Sequence, residues 1–222
     1  MSIKRFHISP PVIQLALLIF LIFAVPFFPK VSYSMMYQVL FTAVIFVSVF
    51  ALEKTRKLNL IIALIVIGFK WTILIYDAEL RNISNIPQVI FFIWIVVRLL
   101  WQIANTRQGT WQVIVDCLNG YFLMALVSAI LIGLTTYFLP GSFNFSDPGE
   151  SVVQGMNDYI YHALVVFSTT GFGDIIPVTP EAKAVSNFIS VSGQLYVAII
   201  ITLLIGHYSA AHQEADFLKR EN

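Results

Sequence analysis

Ser168-Thr169-Thr170-Gly171-Phe172-Gly173-Asp174 is the stretch on which the reading of this 222-residue chain turns. Two glycines bracket one aromatic residue and follow two threonines. Glycine takes φ > 0 without the steric cost other residues meet. If dihedrals alternate along such a strand, successive carbonyls point the same way. The carbonyls of Thr170, Gly171 and Phe172, with the carbonyl and hydroxyl of Thr169, would then stack as tiers of oxygen. Such tiers can replace the water around a dehydrated cation. One chain supplies one wall of that cage, so the chemistry calls for four chains around an axis.

The surroundings of the stretch set its depth. It follows a short apolar run, Tyr159–Phe167, and precedes Ile175-Ile176-Pro177. All of this lies in the 44-residue segment Pro140–Lys183, which opens with the polar, Gly- and Pro-containing Gly141–Asp158. Tyr159–Phe167 is too short to cross a bilayer, which takes about 20 apolar residues. The order is therefore helix, re-entrant half-helix, extended glycine strand, helix. Non-helical backbone at membrane depth is tolerated only where it is buried in protein or lines water. The half-helix Tyr159–Ser168 would turn its negative C-terminal end toward the cation path.

Composition places the whole chain in the bilayer. Hydrophobic residues are 58% and charged residues 11%, against about 25% charged in soluble domains. The mean hydropathy is +0.82. Such a chain cannot cover itself with polar surface in water, which excludes soluble and disordered classes. A net charge of +1 leaves no footprint for nucleic acid. The single cysteine, Cys117, excludes an intrachain disulfide framework and reads as a small apolar filler. Neither a cofactor nor a soluble partner is implied.

Six stretches have spanning length and composition: Pro11–Phe28, Met35–Leu52, Leu58–Tyr76, Ile86–Ile103, Tyr121–Leu139 and Ala184–Tyr208. The first is too long for a signal-peptide core, and Ala24-Val25-Pro26 is no cleavage site. The expected fold is an all-α membrane protein with six transmembrane helices. Basic residues orient them. Lys4, Arg5, Lys54, Arg56, Lys57, Arg107, Lys219 and Arg220 fall on one side; Lys30, Arg81 and Lys183 fall on the other. Eight against three puts both termini in the cytoplasm.

The motif and its setting resemble the potassium channel pore family. Ser168–Asp174 stands where that family has T-T-V-G-Y-G-D, and the G-F-G variant is familiar within it. The likeness runs through Pro177 to Ser190-Val191-Ser192-Gly193-Gln194, which looks like the family's glycine-hinge region, and covers roughly residues 120–208. It implies a homotetramer in the lipid bilayer, at the plasma membrane, with potassium ions at Thr169, Thr170, Gly171 and Phe172. It implies a pore helix at 159–168, a filter at 169–174, an outer helix at 121–139 and an inner helix at 184–208. Two departures stand out. Phe172 lacks the hydroxyl of the usual Tyr. Tyr161 and His162 occupy positions where Trp-Trp is common; Tyr161 is placed to hydrogen-bond Asp174, and His162 reads as a packed ring. Val165 stands where some members have Glu. Gly193 is placed to hinge the inner helix or to let it pack closely. Thr202, Ile205 and Gly206, spaced on one face, are candidates for the cytoplasmic mouth and gate.

Residues 1–105 read as a four-helix, sensor-like bundle without an arginine ladder. Ile86–Ile103 carries only Arg98, against some 3–4 gating charges in strongly voltage-dependent channels; Arg98 lies where snorkelling would explain it. Lys70 is an intramembrane charge and so marks a pairing or functional site, with Asp77 seven residues further on the same face. Residues 106–120 are expected to lie along the interface as a connector helix. The tail, 209–222, is too short for a ligand-binding module. Pro140–Lys183 carries Asp147, Glu150, Asp158, Asp174 and Glu181 against Lys183, a formal −4 per chain. Clustered charge of one sign would concentrate cations at the outer mouth. The expected function is passive potassium flux with weak or no voltage gating. The alternatives are a nonselective cation channel, or a G-x-G-D intramembrane aspartyl protease using Asp77 and Asp174.

Overall fold

The computed structural model describes residues 9–29, 33–52, 56–76, 82–106, 111–145 and 155–220, with side chains described from 35 in the second segment and up to 206 in the last. Lipid offers no partner for backbone N–H and C=O groups, so the apolar stretches close their hydrogen bonds internally as helices. These are α1 (Pro10–Ile19), α2 (Tyr33–Ala51), α3 (Arg56–Tyr76), α4 (Asn85–Asn105), α5 (Trp111–Phe138), the short α6 (Met156–Phe167) and the long α7 (Pro180–Arg220). Among the described residues, five helices are long and apolar enough to cross a membrane. The described apolar part of α2, Met35–Ala51, falls just below that length. The chain is an all-α, multi-pass membrane protein.

Local chemistry sets several helix ends. Pro10 and Pro11 occupy the first turn of α1, where a missing N–H costs nothing. Beyond Ile19 the helix widens to a π-turn, Phe20–Ala24, and then tightens to 3₁₀ over Val25–Phe27. Pro26 accounts for this, since its ring crowds the carbonyl four residues back, at Ile22. The inner helix α7 begins four residues earlier than the apolar count suggested. Thr179 caps it, its hydroxyl accepting from the Ala182 N–H at 3.3 Å, with Pro180 next and Glu181 in the first turn.

Helices α1 to α4 bundle around Leu18, Phe41, Ile45, Phe92, Ile95 and Leu99, all essentially inaccessible. Polar pairs stitch this core. Gln14 Nε2 donates to Ser48 Oγ at 3.0 Å, Trp94 Nε1 to Asn59 Oδ1 at 3.2 Å and Trp71 Nε1 to Thr42 Oγ1 at 3.2 Å. In lipid such bonds substitute for the missing hydrophobic drive between helices.

The sequence sets residues 106–120 apart as a connector. Residues 111–119 are the opening turns of α5, which runs unbroken through Gly120 and Tyr121. Asp116 and Asn119 are polar, yet both are buried. Gln102 Nε2 of α4 donates to Asp116 Oδ2 at 3.0 Å, and Asn119 Nδ2 donates to the Pro11 carbonyl of α1 at 2.9 Å. With those partners supplied by packing, and no proline between 111 and 138, the helix has no reason to stop. Arg107 lies outside the described residues.

Beyond α5 the chain forms β1 (Phe143–Phe145), crosses α6, and returns as β2 (Ile175–Pro177), paired antiparallel with β1 in the register Phe143 to Pro177. Val178 N–H extends the tie to the Ser142 carbonyl at 2.8 Å. This ribbon was not expected from the sequence. It closes the re-entrant loop on itself.

Candidate functional site

The re-entrant segment is built by α6 descending between α5 and α7. Gly155 precedes it, and the Asp158 carboxylate reaches back to accept the Gly155 N–H at 3.0 Å, closing the first turn. Gly133 of α5 admits the Tyr159 ring, which a Cβ there would meet at 3.0 Å. The lower end of α6 rests on an aromatic cluster. The buried Phe167 ring lies edge-on to Tyr121 at 5.0 Å, and Tyr121 lies 6.1 Å from Tyr196 of α7. Tyr196 in turn donates its hydroxyl to the Cys117 carbonyl at 2.7 Å, over Gly120.

At its C-terminus α6 unwinds into the glycine strand. The Val165 carbonyl accepts both the Thr170 N–H, at 3.0 Å, and the Gly171 N–H, at 3.2 Å. From here φ is positive at every second residue: 61° at Thr169, 60° at Gly171 and 78° at Gly173. In an ordinary strand successive carbonyls alternate sides; reversing the sign of φ at every second residue turns the intervening peptides so that they face one way. Two of the three positions are glycine, as the motif implies. The third, Thr169, is β-branched, for which positive φ is a strained conformation.

Side chains around the strand brace it. Ser168 Oγ and Thr170 Oγ1 are 2.9 Å apart, within hydrogen-bond reach. Gln194 Nε2 of α7 donates to Thr169 Oγ1 at 3.3 Å. Above the strand, the Tyr161 hydroxyl donates to Asp174 Oδ2 at 2.5 Å. That bond favours the ionised carboxylate and holds the Asp174 pKa below its usual range. His162 is a buried ring set edge-on against Phe143, with centroids 5.5 Å apart. The structure thus brings Thr169, Thr170, Gly171, Phe172, Gly173, Asp174 and Tyr161 into one continuous wall. Reading the motif alone did not single out Ser168 or Gln194 as supports. The signal was there only as a hydroxyl two residues before Thr170 and an amide following Gly193 in a largely apolar stretch.

Gly193 has a different part from a hinge in this conformation. Helix α7 is continuous through it, and a Cβ at Gly193 would stand 2.1 Å from the Phe167 carbonyl oxygen. The glycine lets α7 press against the end of α6. Thr202, Ile205 and Gly206 lie further along α7 and are all exposed in the single chain.

The two intramembrane cations lie away from this wall. Lys70 is buried in the bundle, its Nζ 2.5 Å from Gln88 Oε1 and 5.0 Å from the Phe41 ring centre. Its observed partners are therefore an amide and an aromatic face. Asp77 lies outside the described residues, as do Asp147 and Glu150. Arg98 lies between Trp94 and Trp101 of its own helix, its guanidinium carbon 5.8 and 5.5 Å from their ring centres.

Comparison with known proteins agrees with this geometry. A family model described as Ion channel matches residues 122–208. The human potassium voltage-gated channel subfamily A member 10 is 26% identical over 98 residues, covering 44% of this chain and 19% of that protein. The A-type voltage-gated potassium channel KCND3 of Rattus norvegicus is 25% identical over 97 residues, 43% of this chain and 14% of its own length. Subfamily A member 2 of Oncorhynchus mykiss is 25% identical over 84 residues, 38% of this chain and 17% of its own length. The chain thus spans less than a fifth of these relatives. No solved structure matches. The matches point to a channel and not an enzyme, which sets aside the protease reading of Asp77 and Asp174. With its re-entrant helix and its alternating glycine strand, the chain is similar, through residues 122–208, to ion channels, and the relatives it matches there are potassium channels.

Proposed function

We propose that this chain is the subunit of a homotetrameric, potassium-selective channel of the plasma membrane, with both termini cytoplasmic and weak or no voltage gating. One observation carries the reading. Ser168–Asp174 are seven consecutive residues, all exposed in the single chain, most of them non-helical, and held between two spanning helices. Backbone of that kind cannot face lipid. Four such walls facing one axis would cover it and enclose ions at Thr169, Thr170, Gly171 and Phe172. The breadth of uncovered apolar surface on α7, including Phe188, Val191, Leu195 and Ile201, fits burial against neighbouring copies.

The test follows from the dihedrals. A Cβ at Gly171 or Gly173 meets nothing within 4 Å, so substitution acts through φ and not through crowding. Left-handed backbone costs a non-glycine residue roughly 1–2 kcal/mol, and a tetramer carries the change four times. Gly171→Ala and Gly173→Ala are expected to abolish potassium-over-sodium selectivity in planar bilayers, while native mass spectrometry still finds a tetramer. Unchanged selectivity in either variant would overturn the filter assignment.

A further inference from the structure

We propose that Gln194 is a positioning residue for the innermost ion level of the filter, holding the Thr169 hydroxyl and so setting how tightly that level binds cations arriving from the cytoplasmic side. The inference rests on the filter reading above and adds to it a residue outside the motif.

The geometry is specific. Thr169 is the one non-glycine among the described residues with positive φ. A strained, β-branched residue persists only where its surroundings over-determine it. Here the backbone N–H of Thr169 is taken by the Val166 carbonyl at 3.0 Å, and its hydroxyl accepts from Gln194 Nε2 at 3.3 Å. A hydroxyl has two lone pairs and one proton. With one lone pair engaged by the amide, the other stays available to an ion and the proton is free to go to water. The donor cannot drift, because α7 is pressed onto α6 one residue earlier, where Gly193 leaves no room for a Cβ against Phe167. Gln194 and Thr169 are both exposed in the single chain. The glutamine follows Gly193 and precedes the apolar Leu195, Val197 and Ile199, and its amide reaches the strand at Thr169. An apolar residue of equal length would fill the space and leave the hydroxyl free to rotate away from the axis.

The experiment uses the full-length tetramer in planar bilayers. The inner level is probed by Ba²⁺ block from the cytoplasmic side, since this divalent ion is close to potassium in size. The outer end is probed by external tetraethylammonium, which is too large to enter the strand. Gln194→Met keeps volume and removes the donor. It is expected to weaken internal Ba²⁺ block by about threefold to tenfold, the worth of one lost hydrogen bond, and to leave external block unchanged. Gln194→Asn, which keeps the amide but withdraws it by one methylene, should shift internal block less; it carries the same test should the Met variant not assemble. Equal internal block in variants and wild type would overturn the proposal. So would a parallel shift of internal and external block, which would mark a general disturbance of the pore. Wild-type protein without potassium-selective current would sink the channel reading itself, and this inference with it. A selective wild type with indifferent Gln194 variants would sink this inference alone.

Discussion

Asp174 and Tyr161 show how one hydrogen bond ties an exposed carboxylate after the glycine strand to α6. Asp174 directly follows the last filter glycine, and the phenol of α6 holds it at 2.5 Å. The bond depresses the carboxyl pKa below its ordinary value, near 3.9 in peptides. The linkage has a definite sign. A depressed native pKa adds stability that is present above the ordinary value and lost as pH falls through the native one. External acid should therefore leave conductance intact through the ordinary carboxylate range and reduce it only below that range. Tyr161→Phe removes the donor and should move this loss upward in pH, toward the ordinary value. Conductance recorded against external pH for both proteins checks it; identical acid limbs would mean that the bond does not support the conducting strand.

Among the elements, α5, α6 and α7 approach one another at three glycines, each facing a different group. Gly120 faces the Tyr196 hydroxyl, Gly133 the Tyr159 ring and Gly193 the Phe167 carbonyl. The last is the least forgiving, because a backbone oxygen cannot swing away as a side chain can. Gly193→Ala is expected to cost about 1–3 kcal/mol per chain through overpacking and to displace the end of α6, so selectivity should fall together with tetramer thermal stability. A pure hinge would instead change opening and leave both intact. Gly68→Ala, in the middle of α3 with nothing within 4 Å of its new Cβ, is the control. It should be neutral or stabilise by about 0.5–1 kcal/mol, as alanine does in a helix interior.

For the molecule as a whole, the bundle α1 to α4 is attached to α5 by the Gln102 bond to Asp116 and the Asn119 bond to Pro11. The Tyr37 hydroxyl also donates to Asn157 Oδ1 at the start of α6. The bundle therefore contacts both α5 and α6, but it offers little charge for a field to move. Moving one elementary charge through 100 mV is worth about 2.3 kcal/mol, and steep gating takes several per subunit. Within α4 only Arg98 is cationic, and it lies against two tryptophans of its own helix. Macroscopic conductance should vary only shallowly with voltage, and Arg98→Gln should alter that slope little. An effective gating charge comparable to a full arginine ladder, recorded from wild-type tetramers, would refute this.

The amino-acid sequence by itself determines whatever lipid imposes locally. Apolar runs of spanning length must be helices. The run Tyr159–Phe167 is too short to cross, and Gly171 and Gly173 mark where backbone must take positive φ; each conclusion needs only neighbouring residues. Tertiary structure decides wherever a group's partner lies far along the chain. Gln194 and Thr169, Gly193 and Phe167, Lys70 and Gln88, and Asp116 and Gln102 are joined by which helix faces meet, and periodicity in a uniformly apolar helix carries no record of that. The same reason explains the continuous α5 and the ribbon of β1 with β2. Asp116 and Asn119 are polar groups that ordinarily seek water; in their buried positions each takes one hydrogen bond across the bundle, from α4 and to α1.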